Sequence, residues 1–100
     1  MKSWTRLWRV YFKMNREVLE RIIQTIITIE ELGELSQALS KYTRYMCSDK
    51  TIRVDIYQIT DMVFEELADV ELCLEKFKEL NYIDQQEIDR IKQYKEKRLK

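Results

Sequence analysis

The chain has 100 residues, enough for one small domain spanning positions 1–100, and 45% of them are hydrophobic while 36% are charged. One glycine and no proline leave few residues for tight turns, so an all-α fold is expected, a helical bundle of about four helices. Histidine is absent, which excludes the usual zinc sites and Cys–His catalytic pairs.

The net charge is zero, but the charges are unevenly distributed. Residues 1–16 carry five Lys or Arg and no acid, and residues 92–100 carry five against one acid. The centre, 17–91, holds seventeen acids against eight bases. No recognised DNA- or RNA-reading motif accompanies the basic ends, so no nucleic-acid partner is expected.

Cys47 and Cys73 show no CxxC spacing, which predicts free thiols and a cytoplasmic location. The N-terminal stretch is interrupted by charges every few residues, so it is no signal-peptide core. No segment is long and apolar enough for a membrane span, and no membrane partner is expected.

Apolar residues recur at helical spacing along nearly the whole chain. A short first helix is predicted, with one face that covers a core or a subunit contact. That face holds Trp4, Leu7, Trp8 and Tyr11. A membrane-surface helix is disfavoured, because the face is short and interrupted by arginine. Asn15 is then predicted as the N-cap of a long second helix over 16–46.

The stretch "CSDKTIRVD" breaks the pattern and predicts a loop. A third helix is predicted over 54–80. Asp84, with Glu87 three residues later, forms a capping-box signature that opens a last helix ending near residue 98.

Each long helix is expected to bury one apolar stripe. On the second helix the stripe holds Ile22, Ile26, Ile29, Leu32, Leu35 and Leu39. On the third helix it holds Val63, Leu67, Val70, Leu74 and Phe77. Beside each stripe lie two carboxylates three residues apart, Glu31 with Glu34 and Glu66 with Asp69, so each pair shares a helix face.

Four carboxylates at the edge of a core need a counter-ion, because like charges at close range raise one another's pKa and buried charge is costly. Neither pair of acids has a Lys or Arg next to it on the same helix face. Oxygen-only ligands favour a hard divalent cation, so Glu31, Glu34, Glu66 and Asp69 are predicted to bind Mg²⁺ or Mn²⁺. A di-iron site is excluded, since it uses Glu-x-x-His motifs. The alternative is that these acids are merely solvated surface charge.

Gly33 lies between Glu31 and Glu34 in the predicted helix, where glycine costs about 1 kcal/mol relative to alanine. Its position suggests room for a close helix approach or for a ligand. The alternative is that this glycine has no role and its cost is merely tolerated.

With these motifs the chain resembles the MazG-like nucleotide pyrophosphohydrolases, of the all-α NTP pyrophosphatase superfamily. The motifs are EExxE, here Glu30-Glu31-Leu32-Gly33-Glu34, and ExxD, here Glu66-Leu67-Ala68-Asp69. The similarity covers roughly residues 20–99 and includes a basic K-x-x-R close, while the first helix matches only loosely. The separation of the two motifs is somewhat longer than is usual in the family.

The resemblance implies hydrolysis of a nucleoside triphosphate to a monophosphate and pyrophosphate with Mg²⁺, in nucleotide-pool control, by a dimer or tetramer. Glu30 belongs to the family motif and is the candidate general base. One Mg²⁺ would not balance four carboxylates and a triphosphate, so further metal and basic side chains are expected. The candidate phosphate-binding residues are Lys92, Lys95 and Arg98 on the last helix and Lys50 and Arg53 in the loop.

Two rival functions stay open at this point. One is a non-catalytic helical interaction protein whose acids are surface charge. The other is a superfamily relative that acts on dUTP or phosphoribosyl-ATP. Metal-dependent release of pyrophosphate would distinguish a pyrophosphohydrolase from the non-catalytic interaction protein. A substrate panel would distinguish it from the relative that acts on dUTP or phosphoribosyl-ATP.

Overall fold

The computed structural model describes residues 2–47 and 55–99, with side chains described from residue 15 onward. It contains three helices: α1 (Lys2–Met46), α2 (Ile56–Leu80) and α3 (Gln85–Leu99). The described residues contain no strand, which confirms the all-α class. Lys50 and Arg53 lie outside the described residues.

The predicted break at Asn15 is wrong, because α1 runs through it without interruption. Asparagine in a helix interior costs at most about 0.7 kcal/mol relative to alanine, and no glycine or proline stands nearby to end the helix. The first and second predicted helices are therefore one helix, and the described chain has three helices where about four were expected. The expected aromatic face at Trp4, Leu7, Trp8 and Tyr11 lies outside the described side chains.

Helix α2 begins with a capping box. The Gln58 backbone N–H donates to Asp55 Oδ1 at 2.8 Å, and the Gln58 side-chain oxygen accepts from the Asp55 backbone N–H at 3.3 Å. These bonds satisfy two donors near the start of the helix. At α3 the predicted box does not form. Asp84 caps the helix through the second helical residue instead, since the Gln86 N–H donates to Asp84 Oδ1 at 2.9 Å, and the Glu87 side chain pairs with Arg90.

Helix α2 ends in a Schellman motif without glycine. The Ile83 N–H donates to the Lys78 carbonyl at 2.9 Å, and the Tyr82 N–H donates to the Glu79 carbonyl at 3.4 Å. Tyr82 occupies the left-handed position with φ 52°, where glycine is usual. The Arg21 guanidinium lies 5.5 Å from the centre of the Tyr82 ring, and this contact offsets part of the backbone cost.

Helices α1 and α2 form an antiparallel hairpin, and pairs of facing residues recur every seven residues along it. The Gln24 side chain reaches the Cys73 carbonyl, and seven residues further along α1 Glu31 meets Glu66, seven residues earlier in α2. One more step of seven residues is expected to place Ala38 opposite Ile59, and both residues are buried. Two helical turns are close to seven residues, so the same face of each helix meets at every step.

The stripe predicted to form the core of α1 is not the face that meets α2. Ile22, Ile26, Ile29, Leu32 and Leu39 are all exposed. Leu35, the remaining member of the stripe, is half-buried. The buried side chains of α1 are Gln24, Thr28 and Ala38, on the side of the helix opposite Ile22 and Ile26. On α2 the prediction holds better, because Val70 is buried and only Leu67 of the stripe is exposed.

Helix α3 packs against neither α1 nor α2. Consistent with this, it has no buried residue. The Cα radius of gyration is 20.5 Å, whereas a compact domain of 100 residues is expected near 13 Å. The single chain is therefore an elongated hairpin with a projecting third helix.

Two further findings concern the described part of the chain. None of its helices is both long and apolar enough to cross a membrane. Cys47 and Cys73 are both free thiols, as their spacing predicts.

Replacing Ile59 by alanine is expected to destabilise the hairpin by about 2–5 kcal/mol, because Ile59 is only 1% exposed and its loss leaves a cavity opposite Ala38. Urea unfolding followed by circular dichroism measures the change. The matched control is Leu72→Ala, since Leu72 lies on the same helix but is 64% exposed. Equal losses of stability in the two variants would contradict the described hairpin.

Candidate metal centre

Three carboxylates converge at the middle of the α1–α2 hairpin. Glu31 and Glu34 lie on one face of α1, and Glu66 faces them from α2. One oxygen atom from each residue lies within 4.8 Å of the corresponding atoms of the other two. The i, i+3 spacing on α1 and the hairpin register produce this convergence together.

Two oxygen atoms of this group are buried and have no hydrogen-bond partner. They are Oε2 of Glu31 and Oε2 of Glu66. A buried carboxylate oxygen without a donor is costly, and native structures rarely leave one unexplained. The two orphaned atoms come from opposite helices and belong to the same cluster, so one counter-ion can serve both.

The electrostatic environment raises the pKa of both partly buried acids. For Glu31 the largest cause is desolvation, followed by the charges of Glu34 and Asp69 and by hydrogen bonding with Glu34. The same causes, in the same order, raise the pKa of Glu66. Every charge that acts on Glu31 here is negative, so the described residues provide no counter-charge.

Glu34 and Asp69 form the more exposed side of the group. Glu34 contributes to the raised pKa of both Glu31 and Glu66, and so acts on acids of both helices. Asp69 acts on both of these residues through its charge, but it is not one of the three whose oxygen atoms converge within 4.8 Å. The structure therefore brings together three of the four predicted ligands and places the fourth beside them.

Sequence reasoning missed a buried polar pair next to the acids. Gln24 Nε2 donates to Thr28 Oγ1 at 3.4 Å and to the Cys73 carbonyl at 3.5 Å, and Thr28 Oγ1 donates to the Gln24 carbonyl at 2.7 Å. The signal was present, because Gln24, Thr28 and Glu31 follow the i, i+4, i+7 spacing of one helix face. The interface between α1 and α2 is thus polar along much of its length.

The other predicted site residues lie apart from the carboxylates. Glu30 is exposed and is not part of the converging group. The basic residues Lys92, Lys95 and Arg98 are exposed on α3, which does not pack on the hairpin. Arg98 lies over the Tyr94 ring at 5.9 Å from its centre. Within one chain, α3 does not bring its basic residues to the acids.

The residues present fit a hard divalent cation. All the donors are carboxylate oxygens, two of them are buried without a partner, and the set carries an uncompensated negative charge. Mg²⁺ and Mn²⁺ accept one or two protein carboxylates together with water or substrate phosphate. Glu31 and Glu66 would hold the ion, with Glu34 completing the open side.

Comparison with known proteins identifies no relative. The chain matches no protein-family model, no curated protein and no solved structure.

Without metal, the free energy of unfolding is expected to fall as pH rises from about 5 to about 7.5. The pKa values of Glu31 and Glu66 are raised above their ordinary value of 4.5, so the folded state binds more protons than the unfolded state above that pH. Urea unfolding in EDTA at the two pH values measures the change. Glu34→Gln removes a cause of both shifts and should flatten this dependence. An identical pH dependence in the variant and the wild type would contradict the described coupling.

Glu66→Gln is expected to melt above the wild type in EDTA, because one of the repelling charges is removed. The wild type should gain roughly 10–20 °C from Mg²⁺ at a hundredfold excess over Kd, which corresponds to about 2.7 kcal/mol. The variant should gain little. Thermal melts at matched ionic strength test both statements, with the exposed Glu75→Gln as control. Equal responses to Mg²⁺ in Glu66→Gln and Glu75→Gln would exclude a shared metal site.

Proposed function

We propose that this protein is a Mg²⁺-dependent nucleoside triphosphate pyrophosphohydrolase of the MazG-like kind. Its reaction converts an NTP or dNTP to the monophosphate and pyrophosphate. The observation that carries the proposal is the convergence of Glu31, Glu34 and Glu66 around two buried carboxylate oxygens that lack partners. These residues belong to the EExxE and ExxD motifs on which the family resemblance rests.

The chemistry of the donor set suits a phosphoanhydride substrate. A triphosphate is anionic and cannot approach an acidic cluster unless cations lie between them. Bound Mg²⁺ would supply charge neutralisation on the phosphoryl oxygens and a polarised water molecule. Glu31 and Glu66 are held by the two helices of the hairpin, so they provide fixed ligands, whereas the more exposed Glu34 and Asp69 border the side from which substrate enters.

The proton of the attacking water needs an acceptor near the ligands. Glu30 is the candidate from the family motif, and its exposed position leaves its carboxylate free of the buried cluster. Glu34 is the candidate from the geometry, because it is the exposed member of the converging group. A carboxylate in either place acts as a general base while Glu31 and Glu66 stay committed to the metal.

The phosphate-binding residues have less support than the metal ligands. Lys92, Lys95 and Arg98 form a basic surface on α3, but α3 does not pack on the hairpin of its own chain. The proposal therefore rests on the carboxylates alone. A relative that acts on dUTP or phosphoribosyl-ATP would use the same carboxylates, and a panel of canonical and modified triphosphates separates these substrates.

Glu34→Gln is expected to reduce pyrophosphate release to background while helical content is retained, because it removes an anionic oxygen from the cation site. Pyrophosphate released from the triphosphate panel with Mg²⁺ is the measurement, and Glu75→Gln serves as the control. Wild-type rates in Glu34→Gln would refute the metal assignment. No pyrophosphate from any substrate, with intact Mg²⁺ binding, would favour a non-catalytic protein.

Glu30→Gln separates the two candidate bases. If Glu30 accepts the proton, kcat should fall by roughly 10²–10⁴-fold. The melting response to Mg²⁺ should stay at the wild-type level, since Glu30 is outside the converging group. An unchanged kcat would assign the proton to another group, with Glu34 as the next candidate.

A further inference from the structure

The side of α2 that faces away from α1 carries a surface patch, here named the α2 patch. Its centre consists of Phe64, Ala68 and Leu72, at i, i+4 and i+8. Phe64 is 66% exposed and Leu72 is 64% exposed. The spacing places this centre on the side of the helix opposite Ile59 and Val70, the buried residues of α2.

Acidic side chains surround the centre of the α2 patch. Asp61 and Glu75 lie at its two ends, Glu65 and Glu71 lie on either side, and all four are exposed. Residues 55–75 contain seven acids and no Lys or Arg, so every charge that this part of α2 places around the centre is negative. An apolar centre inside a polar rim is the layout of a protein–protein interface.

The acids of the rim repel one another along the helix. Asp61 and Glu65 are four residues apart, and so are Glu71 and Glu75, which makes the members of each pair neighbours on the helix surface. Like charges at this spacing destabilise a helix, whereas an exposed helix face is typically stabilised by acids that alternate with bases. A cationic partner would relieve this repulsion.

The centre of the α2 patch is also unfavourable in water. A single exposed apolar side chain is common on protein surfaces. Here Phe64, Ala68 and Leu72 instead form one strip that continues over two helical turns. Contiguous apolar surface with a polar rim marks an interaction site.

Charge and shape identify the chemistry of the partner. A rim of acids repels nucleic acids and anionic membrane surfaces, which are attracted by Lys and Arg. Side chains four residues apart form a ridge that packs into the groove of a second helix. From Asp61 to Glu75 the patch extends for about 21 Å, the length of a helix of about four turns. Such a helix matches the patch when Lys or Arg residues border its apolar stripe.

We propose that the α2 patch is the docking site for a basic amphipathic helix of another protein. The apolar stripe of that helix covers Phe64 and Leu72, and its Lys and Arg side chains pair with the acids of the rim. These pairs make the binding specific and dependent on salt. The patch lies on the other side of α2 from Glu66, so the proposal does not depend on the proposed reaction.

A synthetic probe tests the proposal on the full chain. The probe is a fluorescein-labelled helical peptide of about 18 residues, with leucine on one face and lysine on the rest. Its fluorescence anisotropy during titration with the protein gives Kd. One peptide is expected to bind per chain, more weakly as salt is raised, and a peptide with glutamate in place of lysine should not bind. Failure of the lysine peptide to reach saturation would overturn the proposal.

A matched pair of substitutions tests the apolar centre. Phe64→Ser leaves the charge unchanged and should raise the Kd of the lysine peptide about tenfold or more. Tyr94→Ser is the control, since Tyr94 on α3 is a similarly exposed aromatic residue at 60%, and it should leave Kd unchanged. Equal Kd values in the two variants would overturn the proposal, because charge alone would then hold the peptide.

A second matched pair tests the rim. The double variant Asp61→Asn, Glu71→Gln should weaken binding and flatten its dependence on salt. Glu17→Gln with Glu20→Gln removes the same charge from exposed positions of α1 and should have a smaller effect. Equal effects of the two double variants would contradict docking on α2.

Sedimentation distinguishes the remaining occupant of the patch, a second copy of this chain. The wild type and Phe64→Ser should show the same mass at every concentration. Loss of self-association in Phe64→Ser would assign the α2 patch to a contact between copies and would overturn the proposal.

Discussion

Repulsion among carboxylates inside the α1–α2 interface is the constraint on which the rest of the structure depends. Glu31 and Glu66 each bury an oxygen atom without a partner, and Glu34 and Asp69 add negative charge beside them. Proteins keep such groups either protonated or bound to a cation. The raised pKa values of Glu31 and Glu66 describe the first solution, and the proposed Mg²⁺ site is the second.

This constraint also explains why the hairpin has so small a core. A helix face that presents Gln24, Thr28 and Glu31 to its neighbour cannot bury much apolar area there. Val18, Ile22, Ile26 and Ile29 lie on the other side of α1, where the single chain leaves them exposed. Burial of apolar surface therefore contributes little stability to the hairpin of one chain.

Part of the fold and part of the carboxylate group could be predicted from the sequence for clear physical reasons. Helical periodicity gave the end of α1 at residue 46 and the extent of α2 to within about two residues, since neither helix contains proline. Acids three residues apart must share a helix face, and such pairs on two helices predicted that Glu31, Glu34, Glu66 and Asp69 meet. The first three converge, and Asp69 lies beside them. The predicted helix boundary at Asn15 is wrong, because a residue that favours capping does not interrupt a helix when its neighbours favour helix formation. The prediction of the buried face of α1 is wrong for another reason. The helix has two periodic faces, and the sequence of α1 alone does not show which of them contacts α2.

The central claim is that the carboxylate group binds a divalent cation. Crystals of the protein soaked in Mn²⁺ and measured near the manganese absorption edge test it most directly. An anomalous peak is expected between α1 and α2, coordinated by Glu31 and Glu66, with Glu34 on the open side. Full soaking that produces no peak at this group, or peaks only at scattered surface acids, would contradict the proposed metal site.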